Sequence, residues 1–256
     1  MTINFHDENN KQSYTTRAAD AGWLALLGKI IDPASIGHAA DIGCGGGIYT
    51  KALADLKIPA VTGVDFSEAM IDAAKTNCGD YHQLNFQVGN ALETGLSSGK
   101  PDLILERALI HHLQDLEACF TEAYRVLNHG GTFITQDRTP VDCLLEGTSI
   151  HIRGYILSKF PRLKTIETQR RHESETVSRE LGAVGFSKIK EIKLWETKQV
   201  YSSKKELLDD IRSRTGRSIL HELDNRELKE LVDYMDGKLD EKEIIEKDRW
   251  TIWKAT

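Results

Sequence analysis

The stretch Asp41-Ile42-Gly43-Cys44-Gly45-Gly46-Gly47 constrains this chain more than any other. It places an acidic residue at the end of a short apolar run, then glycines at alternate positions, then the start of an amphipathic segment at Ile48. Glycine at 43, 45 and 47 lets the backbone turn tightly and lets a ligand lie where any Cβ would collide. A second acidic residue, Asp65, ends the next strand-like run (Ala60 to Asp65), 18 positions beyond Gly47 (65 − 47). A βαβ unit uses about that spacing to bring a carboxylate to a ribose. A nucleoside-binding β–loop–α–β unit is therefore expected near the start of the fold.

The dinucleotide fingerprint needs a small residue three positions after its second glycine. Here that position is Ile48, so the fingerprint fails. What remains, D-x-G-x-G-x-G, resembles motif I of the class I S-adenosylmethionine (SAM) dependent methyltransferases. SAM carries no pyrophosphate for a helix N-terminus to hold. It carries an ammonium and a sulfonium, which favour a nearby carboxylate such as Asp41.

Around this loop the pattern alternates. A helix is expected over 10–31, its apolar face including Trp23, Leu27 and Ile30, stopped by Asp32-Pro33. Strands are expected at 38–42, 60–65, 84–88, 102–106 and 132–135, with helices at 48–56, from Ser67 as N-cap, and at 115–127. Strands separated by amphipathic helices imply a parallel sheet covered on both faces. One or two helices and a basic stretch from Lys159 to Arg171 interrupt the rhythm over 141–180. That stretch reads as a solvated helix face or as the rim of an anionic-substrate pocket. A helix at 173–182 and a strand at 188–195 restore the pattern. About 50 charged, helix-rich residues, 203–248, then precede a final strand, 249–255.

Composition sets further bounds. The 256 residues are 40% hydrophobic and 28% charged, an ordinary globular mixture, with a net charge of −6 that argues against duplex binding. No apolar run approaches ~20 residues, so no membrane span is expected. The polar, acidic N-terminus argues against a signal peptide. Cys44, Cys78, Cys119 and Cys143 lack C-x-x-C spacing and read as reduced thiols of a cytoplasmic protein. No His, Cys or Asp cluster has metal-ligand spacing, so no metal is expected.

Two further tracts extend the resemblance. Asp102-Leu103-Ile104-Leu105-Glu106 with Ile110-His111-His112-Leu113 is similar to the family's fourth motif, and Glu122 to Gly131 to its following helix and turn. The likeness is greatest to small-molecule methyltransferases of the ubiquinone and menaquinone C-methylating kind. It implies an α/β, Rossmann-like, doubly wound fold: a mostly parallel seven-stranded sheet with an antiparallel last strand, plus helical lid insertions. The corresponding division is 1–140 (N-terminal helix and SAM-binding core), 141–180 (lid insertion), 181–202 (core), 203–248 (second insertion) and 249–256 (final strand).

By the same resemblance Asp41 would hold the SAM ammonium, while Gly43, Cys44, Gly45 and Gly47 admit the methionine portion. Asp65 would accept from both ribose hydroxyls, with a helix-capping role as the plainer alternative. Phe66 would cover the adenine, and Asn90, beside Ala91, would replace the family's usual Asp at the adenine amine. Glu106 and Arg107 would line the methionine end, and Tyr14 and Arg17 would reach the cofactor or substrate from the first helix or else sit on its solvated first turn. His111 and His112 are the catalytic candidates, as a substrate contact or as a general base suited by an imidazole pKa near ~6.5, with a packing and backbone role as the plainer alternative. The expected activity is methyl transfer from SAM to a small-molecule acceptor, with an RNA methyltransferase and a non-catalytic SAM-binding protein as alternatives. The 203–248 segment is expected to pack with the helices of 141–171 as a substrate lid, or to use its apolar faces in a homodimer.

Overall fold

The computed structural model describes residues 18–256. Five strands, β1 (Ala39–Ile42), β2 (Val61–Asp65), β3 (Leu84–Val88), β4 (Leu103–Arg107) and β5 (Thr132–Asp137), alternate with helices α1 (Ala21–Ile30), α2 (Ile48–Asp55), α3 (Glu68–Asn77) and α4 (Leu116–Val126). Helix α8 (Ser174–Val184) and two 12-residue strands, β6 (Lys190–Tyr201) and β7 (Ile244–Ala255), complete the framework. The sheet order is β3-β2-β1-β4-β5-β7-β6. The first five strands are parallel, and β7 runs antiparallel to β5. This is the doubly wound, mostly parallel seven-stranded sheet expected from the sequence.

Alternation along the strands decides which side of the sheet each residue serves. Leu103, Leu105, Ile134 and Ile252 enter one apolar cluster with Trp23 and Leu27 of α1. Their neighbours Ile104, Phe133 and Trp253 enter the other, with Phe120 of α4 and Leu181 of α8. Both faces are covered, so the central strands read as nearly unbroken apolar runs. The chain winds outward from β1 to β3, then returns to place β4 on the other side of β1, with Ile42 opposite Glu106. The loops after β1 and β4 therefore diverge from one point, where sheets of this kind bind ligands.

Several boundaries differ from expectation. Among the described residues the first helix covers only Ala21–Ile30, because Asp20 caps it by accepting from the Trp23 amide. Strand β5 runs two residues past Thr135, and the last two strands are longer than their apolar cores suggested. Ser67 occupies the N-cap position of α3, but its side chain makes no capping bond.

The chain divides into two compact units. The sheet core comprises residues up to Asp137, Ser174–Leu194 and Thr251–Thr256; the second unit comprises Arg138–Glu173 and Trp195–Trp250. In the second unit α5 (Pro140–Cys143) precedes α6 (Arg153–Lys159) and α7 (Leu163–Thr168), and these last two share one apolar cluster with α9 (Lys204–Arg212) and α10 (Asn225–Asp236). Its members include Ile152, Ile156 and Leu163 from the first segment and Ile211, Leu220, Leu231 and Met235 from the second. The apolar residues of 203–248 expected to serve a lid or a homodimer lie in this cluster. Thr139 and Asp142 form a capping box on α5, as do Asp224 and Glu227 on α10.

Ion pairs reinforce that cluster. Glu167, with no exposed surface, lies 3.1 Å from Arg153, 3.3 Å from Arg171 and 3.4 Å from Arg170. Asp248 faces Arg138 at 3.4 Å and Arg153 at 3.6 Å. Burial alone would raise the Glu167 carboxyl, but Arg153, Arg138 and Arg171 hold it down at about 2. The basic stretch is thus partly turned inward: Arg171 is buried, while Arg162 stays exposed and pairs with Glu227. Glu167→Gln should lower stability by about 3–5 kcal/mol at neutral pH in denaturant titration, because guanidiniums are left buried without their counter-charge. The folded carboxyl lies below the ordinary value of 4.5, so this contribution is complete above pH 4.5 and lost as pH falls through about 2.

Candidate functional site

The three alternate glycines do different work. Gly43 (φ +77°) donates to the Val64 carbonyl at 2.7 Å, and a Cβ there would meet the Leu109 side chain at 3.1 Å. Gly47 (φ +85°) would place a Cβ 2.8 Å from the Cys78 sulfur. At these two positions protein neighbours alone already exclude a side chain. Among the described residues no atom lies within 4 Å of the Cβ position of Gly45 (φ +51°), so of the three it presents the open face. The Cys44 side chain is buried, its thiol 3.7 Å from the Gly45 carbonyl.

Asp65, at the end of β2, ties this loop down. Its Oδ2 accepts from the Gly45 amide at 2.9 Å and its Oδ1 from the Ser67 amide at 2.9 Å. Burial raises the carboxyl, while the backbone donors of Ser67, Gly45 and Phe66 oppose the shift. Asp65 thus holds the N-cap residue of α3 as well as the glycine loop, and a carboxylate with about four acceptor positions can still take a hydroxyl donor beside these backbone amides. Phe66 follows with 58% of its surface exposed, uncommon for a large aromatic side chain. Asn77 donates to the Gly46 carbonyl at 3.0 Å, fixing the loop to the end of α3 as well.

Asp41 points elsewhere than expected. It is 1% exposed, and its Oδ2 accepts from the Thr50 hydroxyl of α2 at 2.6 Å. Burial pushes its carboxyl up to about 6 despite that bond. As placed, it braces the first turn of α2 and presents no exposed carboxylate to an ammonium. Asn90, itself exposed, uses its Oδ1 to accept from the Leu92 amide at 3.0 Å, while Ala91 is buried. The expected adenine acceptor thus already holds its own turn.

The end of β4 splits by alternation. Glu106 shares a face with Ile104, so its carboxyl is buried 3.5 Å from the Cys119 sulfur of α4 rather than lining an open site. Burial pushes this carboxyl up to about 8. Arg107 points to the opposite face and stacks its guanidinium 4.0 Å from the Tyr49 ring centroid. Tyr49 in turn meets Trp23 edge-on at 4.8 Å. Tyr14 and Arg17 lie outside the described residues.

Beyond β4, Ala108 adopts φ +52° and leads into a 3-10 turn, Ile110–His112. The His111 Nδ1 lies 2.8 Å from Asp137 Oδ2, and the His111 amide donates to the same oxygen at 3.2 Å. The ring of His112, an exposed residue, lies 3.9 Å from that of His111. Asp137 was missed because the apolar run of β5 ends at Thr135. A strand carried two residues further, to the next acidic residue, would have found it. Thr50 carried no signal beyond its place in the first turn of α2. Among the described residues no group of three or more His, Cys, Asp or Glu could hold a metal ion. No helix among them is long and apolar enough to cross a membrane.

Glu106 gives the site a measurable pH dependence. Its folded value of about 8 lies above its ordinary 4.5, so the folded state holds the proton more tightly. Stability should fall as pH rises from 4.5 towards 8, with the full penalty present above that. Glu106→Gln should be more stable than wild type at pH 9 by about 2 kcal/mol or more, and little changed near pH 5, in denaturant titrations.

Residues 40–135 match the family model of the methyltransferase domain. A ubiquinone biosynthesis O-methyltransferase of Coxiella burnetii is 34% identical over 96 residues, which is 37% of this chain and 40% of that protein. The match to this curated relative therefore spans about two fifths of its length. A solved structure described as a methyltransferase from an antibiotic biosynthesis pathway of Anabaena variabilis superposes with a TM-score of 0.68 at 18% identity, covering 93% of this chain and 98% of that one. The phosphoethanolamine N-methyltransferase 2 of Haemonchus contortus, solved with phosphomonomethylethanolamine and S-adenosylhomocysteine, gives 0.60 at 20% identity, covering all of this chain and 61% of that one. At such identities the two structures speak for the fold.

Proposed function

We propose that the chain, whose residues 40–135 match the methyltransferase domain, is a class I SAM-dependent enzyme that transfers the methyl group of SAM to a small-molecule acceptor. The observation that carries the proposal is the open face of Gly45, bonded to Asp65 and followed closely by exposed Phe66, at the point where the sheet order reverses. A cradle that a single Cβ would fill suits a cofactor lying against the backbone. Bound there, SAM supplies a methyl group made electrophilic by its sulfonium.

The chain's own residues bind and orient. Asp65 accepts from the ribose hydroxyls through the lone pairs its backbone donors leave, which favours a charged acceptor. Phe66 would cover one face of the adenine, with Asn90 and Ala91 at its border. Arg107, stacked on Tyr49, places a cation at the methionine end. Asp41 acts through its charge and through Thr50, bracing the helix that starts at the glycine loop. Much of the rate enhancement then comes from holding an acceptor in line at ~3 Å from the methyl carbon, away from water.

We assign acceptor selection to the second unit, which the chain enters directly after Asp137. A small molecule is favoured over RNA because the net charge is −6. The 34% identity to a quinone-pathway O-methyltransferase also supports a small acceptor. Calorimetry with SAM and release of S-adenosylhomocysteine over an acceptor panel test the proposal; binding without turnover would mark a non-catalytic SAM-binding protein.

Asp65→Ala should weaken SAM binding by about 2–3 kcal/mol, read by calorimetry, as charge-assisted bonds are lost and the Gly45 amide is released. Gly45→Val should abolish binding while circular dichroism reports a folded chain. Normal affinity in that variant would mean the loop is not the cradle.

A further inference from the structure

Within the second unit, the buried carboxylates of Glu167 and Glu246 are closed by hydrogen bonds. Glu167 accepts from Arg170 and Arg171, and Glu246 accepts from Lys198 at 3.2 Å, Tyr201 at 3.4 Å and Arg217. Asp248 differs. It follows Glu246 by two positions on β7 and so shares the same buried face. Among the described residues no side chain donates a hydrogen bond to it: the Arg138 guanidinium stands at 3.4 Å and that of Arg153 at 3.6 Å, and neither closes on the acid. The Asp248 side chain keeps 11% of its surface exposed, so a small group can still reach it.

The groups around Asp248 are unfilled as well. The buried Arg153 has no hydrogen-bond partner at Nε. Lys198 gives one of its three N–H groups to Glu246, and among the described residues the others find no acceptor. His151, 1% exposed, donates from Nδ1 to the Glu146 carbonyl at 3.1 Å. Burial lowers the pKa of this ring, against the Glu146 bond and the nearby Asp248 charge, which favours its neutral form. The lone pair of that form lies on Nε2, which is buried without a partner. Donors and acceptors left unfilled at such depth are costly and call for an explanation.

The unfilled set has two signs. Arg153 and Lys198 lack acceptors, whereas Asp248 and His151 Nε2 lack donors. A simple anion entering here would face Asp248, and a simple cation would face Arg153 and Lys198. A group that carries both charges on neighbouring atoms meets neither conflict. Resting on the methyltransferase reading above, we propose that the second unit binds an α-amino-carboxylate head, its carboxylate on Arg153 and Lys198 and its ammonium on Asp248 and His151 Nε2, so that the methyl acceptor is an amino acid. Charge-assisted bonds of this kind give orientation as well as affinity. The exposed Trp195 ring, edge-on to His151 at 5.6 Å, offers an apolar wall to the side chain of such a molecule. An ammonium so held has no lone pair to give, so the methyl group goes to a side-chain atom. That atom supplies the pair of the new bond, the pair of the broken C–S bond stays on sulfur, and any proton lost passes to solvent.

The test uses the full chain and the common L-amino acids as probes, each at up to ~10 mM, a range that detects weak binding. Calorimetry is run with and without S-adenosylhomocysteine, and ¹⁵N NMR follows the His151 ring. At least one amino acid should bind saturably and shift the His151 Nε2 resonance. Its analogues without the amine or without the carboxylate, tyramine and 3-(4-hydroxyphenyl)propionate in the case of tyrosine, should each bind about tenfold more weakly or worse. Lys198→Gln and Asp248→Asn should each lose about tenfold or more in that affinity, with SAM affinity within about twofold of wild type. No saturable binding by any amino acid overturns the proposal and leaves these groups to ordered water. An analogue without the amine that binds as tightly as the parent overturns the part given to Asp248 and His151. One without the carboxylate that does so overturns the part given to Arg153 and Lys198. Both comparisons need only wild type, so they stand even where a variant fails to fold. Failure of wild type to bind SAM, with amino-acid binding intact, would instead sink the methyltransferase reading.

Discussion

The carboxylate of Asp65 is the interaction on which the site depends. It is 7% exposed and spends its two oxygens on backbone amides of two different segments, Gly45 after β1 and Ser67 at the start of α3. Without it the glycine loop would have no tie to the neighbouring strand end at its most open point. The other two glycines then appear as servants of packing, one clearing Leu109 and the other Cys78. An acid that first holds its own protein in shape is also the acid best placed to receive a ligand's hydroxyls, because its position is settled before the ligand arrives.

Buried carboxylates are handled in two opposite ways along this chain. At the ends of β1, β2 and β4, burial dominates and Asp41, Asp65 and Glu106 are all pushed upwards. In the second unit guanidiniums dominate, and Glu167 and Asp248 are held well below the ordinary range. Groups raised by burial cluster where chemistry is expected, and groups lowered by partners cluster where a small helical core needs fastening. Helices as short as α5, of four residues, and α7, of six, gain little from their own hydrogen bonds.

Much of the sheet was legible because parallel strands buried on both faces leave apolar runs, and because glycine and acidic residues punctuate them. The motif I loop and Asp65 could be found for the same reason: their chemistry is local in sequence. Glu106 and Asp41 were legible as acids but not as to where they point. That depends on strand alternation and on Thr50, which only the packed helix brings near. Asp137 was invisible because its partner lies 26 positions away and meets it only through the pairing of β4 with β5. The basic stretch from Lys159 to Arg171 read as a solvated or pocket-lining face; Glu167 lies within one turn of Arg170 and Arg171, but its pairing with Arg153 and that of Asp248 with Arg138 and Arg153 carry no local signal.

The interleaving of the two units has a consequence for the order of assembly during synthesis. The chain leaves the sheet core after Asp137, returns at Ser174, leaves again after Leu194, and re-enters only at Thr251. Strand β7 lies between β5 and β6, so β6 has no place beside the sheet until β7 has emerged. A ribosome-bound chain can assemble β1 to β5 early, yet it must carry β6 and the whole second unit before the strand that joins them exists. Such late, long-range closure is intrinsically slow and leaves strand edges exposed meanwhile. The edge of β5 that awaits β7 is therefore where a nascent or truncated chain would be most open to chaperones and to self-association.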